Sequence, residues 1–172
     1  MRFFSGFGFQ EEAALFAPFL PPRSAGFTVA GFSLGAIRAF EHVLLSRERI
    51  ERLILLSPAF FENRPEAFKR QQLMGFKRHP QRYFEQFYAA CDPAGLAIAP
   101  YQAPGSVEEL EFLLHYRWDL EQLARLRQKG VQISLYLGGQ DRIMDAQAAT
   151  AHFLKVCEVC YLKNAGHFLR EV

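Results

Sequence analysis

The sequence predicts an α/β fold: about five mostly parallel strands with flanking helices and an inserted helical lid. Three observations carry that expectation. Strand and helix patterns alternate from residue 2 to about residue 60 and resume after Gly130, as in a parallel sheet with helices packed on it. Between these halves, residues 61–118 are mostly helical and aromatic, and are broken by Pro65, Pro80, Pro93, Pro100 and Pro104, so they read as an insertion. Third, Gly31-Phe32-Ser33-Leu34-Gly35 lies where a strand hands over to a helix, the context a G-x-S-x-G turn requires. The expected plan is a single domain, with 1–60 and 119–172 forming the core and 61–118 the lid.

The elements follow in order. Arg2-Phe3-Phe4-Ser5 has a strand pattern, Gly6-Phe7-Gly8-Phe9 is a loop, and a helix is expected from about Gln10 to Phe19. Phe27-Thr28-Val29-Ala30 is a short apolar run of strand formers, and Ala36, Ile37, Phe40, Val43 and Leu44 repeat at helical spacing after the turn. Ile50 to Leu56 gives the third strand. In the insertion, Ser106 and Glu109 form a capping box, Asp119 with Gln122 starts the next helix in the same way, and Gly130 ends it. Three helical pieces make the lid, and Asp119 to Lys129 returns the chain to the sheet. Val131 to Leu137 and Glu158 to Leu162 complete the strands.

A serine forced onto a sharp strand-to-helix turn projects its hydroxyl free of the sheet, and glycines on either side let the neighbouring backbones pack closely. Ser33 is therefore the candidate nucleophile. Its hydroxyl needs a histidine to remove the proton, and that histidine needs a carboxylate to fix its tautomer. Asp141 lies in the loop Gly138-Gly139-Gln140-Asp141 after the fourth strand, and His167 follows Lys163-Asn164-Ala165-Gly166 after the fifth. Both fall at the same sheet edge as Ser33. The chain order Ser, Asp, His is one of the known orders for such a triad. For the oxyanion, the backbone N–H of Leu34 is the first donor and the N–H of Phe7 the second.

Rival assignments have simpler explanations. His42, His115 and His152 sit within expected helices, and His79 precedes a proline in a basic segment. Asp145 stands at the start of a helix, where capping accounts for it. Gly6-Phe7-Gly8 opens like a dinucleotide-binding G-x-G-x-x-G, but Glu11 takes the third glycine's place, where its charge would oppose a pyrophosphate.

Composition narrows the class further. The chain has 172 residues, half of them hydrophobic, and a net charge of +2, enough for one sizeable core. No apolar run approaches the roughly 18 residues of a membrane span. Met1-Arg2 leads directly into a strand, with Gln10-Glu11-Glu12 close behind, so no signal peptide is expected and the chain reads as cytoplasmic. Of three cysteines, Cys91 is isolated, while Cys157 and Cys160 fall in or beside a strand. Residues three apart on a strand face opposite ways, so these read as small buried apolar groups and no metal or other cofactor is expected.

These motifs together resemble those of an α/β-hydrolase, over residues 1–60 and 131–169 with a lid in the expected place. The resemblance implies the acyl-transfer roles given to Ser33, Asp141, His167, Phe7 and Leu34. The chain departs from the family in having no first two strands, in leaving no room for the usual strand and helix at Pro21-Pro22-Arg23-Ser24-Ala25-Gly26, and in the five residues after His167. One sheet face is therefore expected to need cover from the lid or from a second subunit, making a homodimer possible. A narrower resemblance, carried by Arg2-Phe3-Phe4-Ser5-Gly6-Phe7-Gly8-Phe9, Gly31-Phe32-Ser33-Leu34-Gly35-Ala36 and the short length, is to the pimeloyl-acyl-carrier-protein methyl ester esterases of biotin synthesis. It implies a carboxylesterase that cleaves the methyl ester of a carrier-bound acyl chain to give the pimeloyl carrier protein and methanol.

Charge fits such a partner. From Arg64 to Arg82 six basic residues face one acidic residue, so this segment is +5 and the remainder −3. Acyl carrier proteins are acidic, and Lys69, Arg70, Lys77, Arg78 and Arg82 are the candidate docking residues. No nucleic-acid-binding motif accompanies the charge, so a nucleic-acid partner is not expected. Two further functions stay open: a hydrolase for a free small ester or thioester, and a non-catalytic binding module on the same fold.

Overall fold

The computed structural model describes residues 1–22, 27–93, 95 and 98–172. Residues 23–26, in the stretch noted above as too short for a further strand and helix, lie outside them. Five strands form one sheet in chain order: β1 (Arg2–Phe4), β2 (Thr28–Phe32), β3 (Arg52–Leu56), β4 (Gln132–Gly138) and β5 (Val159–Leu162), every neighbouring pair parallel. Parallel strands are covered on both faces and so read as unbroken apolar runs. β2 and β3 show this most strongly, with all of Thr28–Phe32 and all of Leu53–Leu56 buried.

The two-residue period of the strands separates two apolar layers. Val29, Leu53, Leu55, Leu135 and Leu137 face α1 (Leu34–Leu45), together with α5 (Leu120–Gln128) and α6 (Ala146–Phe153). Ala30, Phe32, Ile54 and Leu56 face the other way, into an aromatic cluster in which Phe32 lies 4.7 Å from Phe16 and 4.8 Å from Phe168 between ring centroids. The cover on this second face answers the question the short sequence raised. Phe16 and Phe19 come from residues before β2, Phe168 and Leu169 from the chain end, and Ile98 and Tyr101 from the insertion.

One expected helix differs. Glu12–Phe19 is a 3₁₀ helix, with Glu11 left-handed at φ 56° and Phe16 off helical geometry at φ −105°. Pro18 explains it, since it has no N–H to donate to the Ala14 carbonyl and its ring crowds that carbonyl. This 3₁₀ segment carries Phe16 into the core.

Between β3 and β4 lie α2 (Glu66–Arg78), α3 (Pro80–Cys91), α4 (Val107–His115) and then α5. Both halves of the capping box at Ser106 and Glu109 are formed. At Asp119 the side chain accepts the Gln122 N–H, which is the forward half alone. Trp118 anchors the return, its Nε1 donating to the Ala59 carbonyl at 2.9 Å and its ring packing 5.1 Å from Phe153. The cysteines divide: Cys91 and Cys157 are buried as expected, but Cys160 is exposed, because β5 is the edge strand. Among the described residues, no helix is long and apolar enough to cross a membrane.

Candidate active site

The turn at Ser33 is strained, as a strand-to-helix elbow requires. β2 ends at Phe32, α1 begins at Leu34, and Ser33 between them has φ 52° and ψ −114°. Three backbone bonds fix it: Ser33 N–H to the Leu56 carbonyl at 3.0 Å, and its own carbonyl accepting from Ala36 and Ala59. A side chain at Gly31 would overlap the Gly35 backbone, and one at Gly35 would overlap the Phe4 carbonyl. The two motif glycines therefore exist so that β1, β2 and the first turn of α1 can touch.

Asp141 and His167 are brought together by the loops after β4 and β5. His167 Nδ1 and Asp141 Oδ2 are 2.6 Å apart, both side chains fully shielded from solvent. Asp141 is an acceptor, so Nδ1 carries the proton and Nε2 is the basic nitrogen. The other carboxylate oxygen, Oδ1, accepts the N–H groups of Ile143 at 2.7 Å and Met144 at 3.2 Å, so Asp141 cannot swing away. His167 Nε2 is buried and has no hydrogen-bond partner among the described residues. Its ring lies 4.8 Å from that of Phe32, the residue before Ser33.

Asp145 does what its position predicts, accepting the Ala148 N–H at 2.9 Å as the cap of α6. The other histidines stay apart from this pair: His42 packs on Phe4, His115 bonds the Glu111 carbonyl of its own helix, His152 packs on Phe60, and His79 is exposed at the α2–α3 junction.

The two expected oxyanion donors lie on different elements, Leu34 at the start of α1 and Phe7 in the loop after β1. Leu34 is the first residue of α1, so its N–H has no intrahelical acceptor. The Phe7 N–H has no acceptor among the described residues either, although its neighbours are firmly held: Gly6 N–H by Glu12, Gly6 carbonyl by Phe9, and Gly8 carbonyl by Tyr88 and Ala103.

Ser33 and Phe7 open onto a cavity of about 230 Å³, walled by Phe61 and by Phe68, Phe87, Leu110 and Leu113 of the inserted helices. Polar points are few. Tyr83, whose phenol burial pushes up to about 12, donates to Gln72 Oε1 at 3.1 Å. Cys91 is no rival nucleophile, because burial first, and then the Asp141 and Asp92 charges, hold its thiol well above its ordinary range.

Of the basic candidates, Arg70, Lys77, Arg78 and Arg82 are exposed on α2 and α3, and none is in an ion pair among the described residues. Arg70, Met74 and Arg78 lie along one side of α2 at four-residue spacing, with Met74 half exposed between the arginines. The structure does not bring Lys69 to that surface. It is buried, and its Nζ bonds Glu66 of the same helix at 2.9 Å.

Two groups were not visible to sequence reasoning. Ser57, at φ 40° after β3, donates its hydroxyl to the His167 carbonyl at 2.7 Å. Glu12, fully buried, accepts the Gly6 N–H. Positive φ at Ser57 leaves no mark in sequence, while Glu12 stands among polar residues that read as a solvated helix start.

No family model matches the sequence, and no curated protein matches it. Solved structures do match, and they place the chain in the α/β-hydrolase fold. It is similar to the esterase EaEST of Exiguobacterium antarcticum (TM-score 0.63, 15% identity) over 81% of this chain and 59% of that one. It is also similar to naproxen esterase, carboxylesterase NP, of Bacillus subtilis (TM-score 0.57, 21% identity), over 83% of this chain and 53% of that one. A third structure, BioG of Haemophilus influenzae (TM-score 0.62, 13% identity), is covered to 87% by 96% of this chain. The chain thus spans less than two thirds of the two esterases but most of BioG.

Proposed function

We propose that the protein is a serine carboxylic ester hydrolase with Ser33 as nucleophile, His167 as general base and acid, and Asp141 as the group that orients His167. The observation that carries this reading is the shielded 2.6 Å contact between Asp141 and His167 Nδ1, which leaves Nε2 without a partner among the described residues, on a ring 4.8 Å from that of Phe32 in the Ser33 elbow. Ser33 Oγ attacks the ester carbonyl while its proton passes to His167 Nε2. The carbonyl oxygen becomes an oxyanion held by the Leu34 and Phe7 N–H groups. The intermediate collapses, the C–O bond to the alcohol breaks, and His167 returns the proton to the departing oxygen. Water then enters, gives a proton to His167, and releases the acid from Ser33 by the same sequence in reverse.

For the substrate, we infer a slender aliphatic acyl chain presented by an acidic carrier protein: the methyl ester of pimeloyl-acyl carrier protein, giving the carrier-bound acid and methanol. The cavity of about 230 Å³ with its mainly apolar walls, the exposed Arg70, Arg78 and Arg82, and the likeness in length and fold to BioG support this. The test offers methyl-pimeloyl carrier protein beside a free short-chain ester and compares kcat/KM. A higher value for the carrier-bound ester is expected. A preference for the free ester makes the protein a small-ester hydrolase, and no turnover of either leaves a binding module.

A further inference from the structure

We propose that Glu12 is a positioning residue for ester hydrolysis, holding the Gly6–Phe7 backbone beside Ser33 so that the Phe7 N–H is set for the oxyanion. The inference rests on the reading of Phe7 and Leu34 as oxyanion donors given above. Glu12 begins the 3₁₀ helix after β1, and its side chain has no exposed surface. Its Oε1 accepts the Gly6 N–H at 2.7 Å, the length of a charge-assisted bond. Its Oε2 is buried without a geometrically formed hydrogen bond among the described residues, although the nearby Ser5 side chain favours the carboxylate, and no cation pairs with it there.

A carboxyl group in such a place is costly, and an apolar side chain of the same size commonly serves stability as well or better. Its one backbone hydrogen bond outside its own residue is to the Gly6 N–H, in the Ser5–Gly6 peptide, one peptide ahead of the one that carries the Phe7 N–H. Gly6 in turn has no room to shift toward the elbow, because a Cβ there would lie 2.8 Å from the ring of Phe32. Phe32 precedes Ser33 and packs at a tilt against the His167 ring. Glu12 therefore holds Gly6 at its N–H and the Phe32 ring limits it at its Cα, while Tyr88 and Ala103 fix Gly8 beyond Phe7. The Gly6 N–H, the Gly6 carbonyl and the Gly8 carbonyl are committed, while the Phe7 N–H has no acceptor among the described residues. A loop that is built to present one donor needs its acceptors elsewhere, and Glu12 is the acceptor that side-chain replacement can remove.

The test measures kcat and KM of the full chain on p-nitrophenyl butyrate, with kcat expressed per Ser33 titrated to completion by a fluorophosphonate, so that loss of folded protein is not counted. Glu12→Met keeps the volume and removes the acceptor. Glu12→Asp keeps the carboxylate but draws it back from Gly6 by one methylene. Glu12→Gln keeps an acceptor oxygen at the same reach. Removing an oxyanion donor outright costs about 10²–10³ in kcat, so a displaced one should cost about ten- to a hundredfold in the Met and Asp variants, with KM nearly unchanged. Glu12→Gln should recover most of the rate. A weaker affinity for a trifluoromethyl ketone, which becomes tetrahedral on Ser33, should accompany the loss, whereas affinity for a planar amide analogue should not move. Wild-type kcat per titrated site in whichever of the Met or Asp variants folds overturns the proposal, as does a fall in the Gln variant equal to theirs. A wild-type protein that neither turns over esters nor labels at Ser33 overturns the hydrolase reading itself, and this proposal with it.

Discussion

Ser57 Oγ donates a hydrogen bond of 2.7 Å to the main-chain carbonyl of His167, joining the loop after β3 to the loop after β5 across 110 residues of sequence. Ser57 is fully buried and held at φ 40°, and its N–H is bonded to the Tyr136 carbonyl. The histidine loop is thus tied from two directions, by Asp141 through its ring and by Ser57 through its backbone. Ser57→Ala leaves the buried carbonyl without this partner, a loss of about 1–3 kcal/mol. Thermal unfolding should report a lower Tm, and kcat should fall by less than for any change at Asp141. A variant with unchanged Tm would show that the bond does not hold the loop.

Asp141 and Asp145 separate cleanly by substitution. Asp141→Asn removes the acceptor that sets the His167 tautomer, and in a comparable triad such a change lowers kcat by about 10⁴. Asp145→Asn preserves a good helix cap, while Asp145→Ala removes the bond to the Ala148 N–H and should cost about 0.5–2 kcal/mol of stability. Neither change at Asp145 should lower kcat per folded molecule more than a few-fold. Ester turnover beside urea unfolding distinguishes the two carboxylates.

Much of the placement of these candidate residues was legible in the sequence, because the parts are local. The elbow is five consecutive residues, and Asp141 and His167 each follow an apolar run that could only be a strand, so a parallel sheet had to deliver all three to one edge. The Ser106 cap and the αL turn at Gly130, φ 90°, were readable for the same reason. Burial of polar groups was not. Glu12, Ser57 and Lys69 acquire their roles from partners brought by folding, and no periodicity distinguishes a buried Lys69 from the exposed Arg70 beside it. The 3₁₀ form of Glu12–Phe19 was hidden in a similar way, since Pro18 had to be weighed against an apolar pattern that favoured an α-helix.

The surface of α2 and α3 gives a prediction about charge. Arg70→Glu, Arg78→Glu and Arg82→Glu should each raise KM for a carrier-bound ester, mainly through slower association, and should leave a small free ester almost unaffected. Added salt should weaken the wild-type reaction with the carrier alone, since exposed charges are screened over about 8 Å at physiological ionic strength. Lys69→Glu should instead lower Tm, because it sets a carboxylate against Glu66 in a buried position. Equal losses on both substrates from the arginine changes would assign them to folding.

Glu12 also links stability to pH. Its carboxyl is raised above its ordinary value by burial, with the Gly6 N–H, its own backbone N–H and the Ser5 side chain opposing that rise. A group whose folded value lies above its unfolded value adds stability that is fully present below the unfolded carboxyl range, about 4.3, and is lost as pH climbs through the raised folded value. Glu12→Gln, which cannot ionise, removes this contribution. Urea midpoints from pH 4 to 7 should therefore decline less in Glu12→Gln than in the wild type. Parallel curves would mean that Glu12 takes up its proton equally in both states.

Covalent capture at Ser33 tests the central claim most directly. The wild-type protein, treated with a fluorophosphonate and digested, should carry one adduct, on Ser33, and lose its ester turnover in step with labelling. Ser33→Ala should take no label and should lose on the order of 10⁶ in kcat, as in a well-dissected serine hydrolase, while keeping the wild-type Tm to within a few degrees. An adduct on another residue, or more than about one hundredth of wild-type turnover in Ser33→Ala free of contaminating enzyme, contradicts the account.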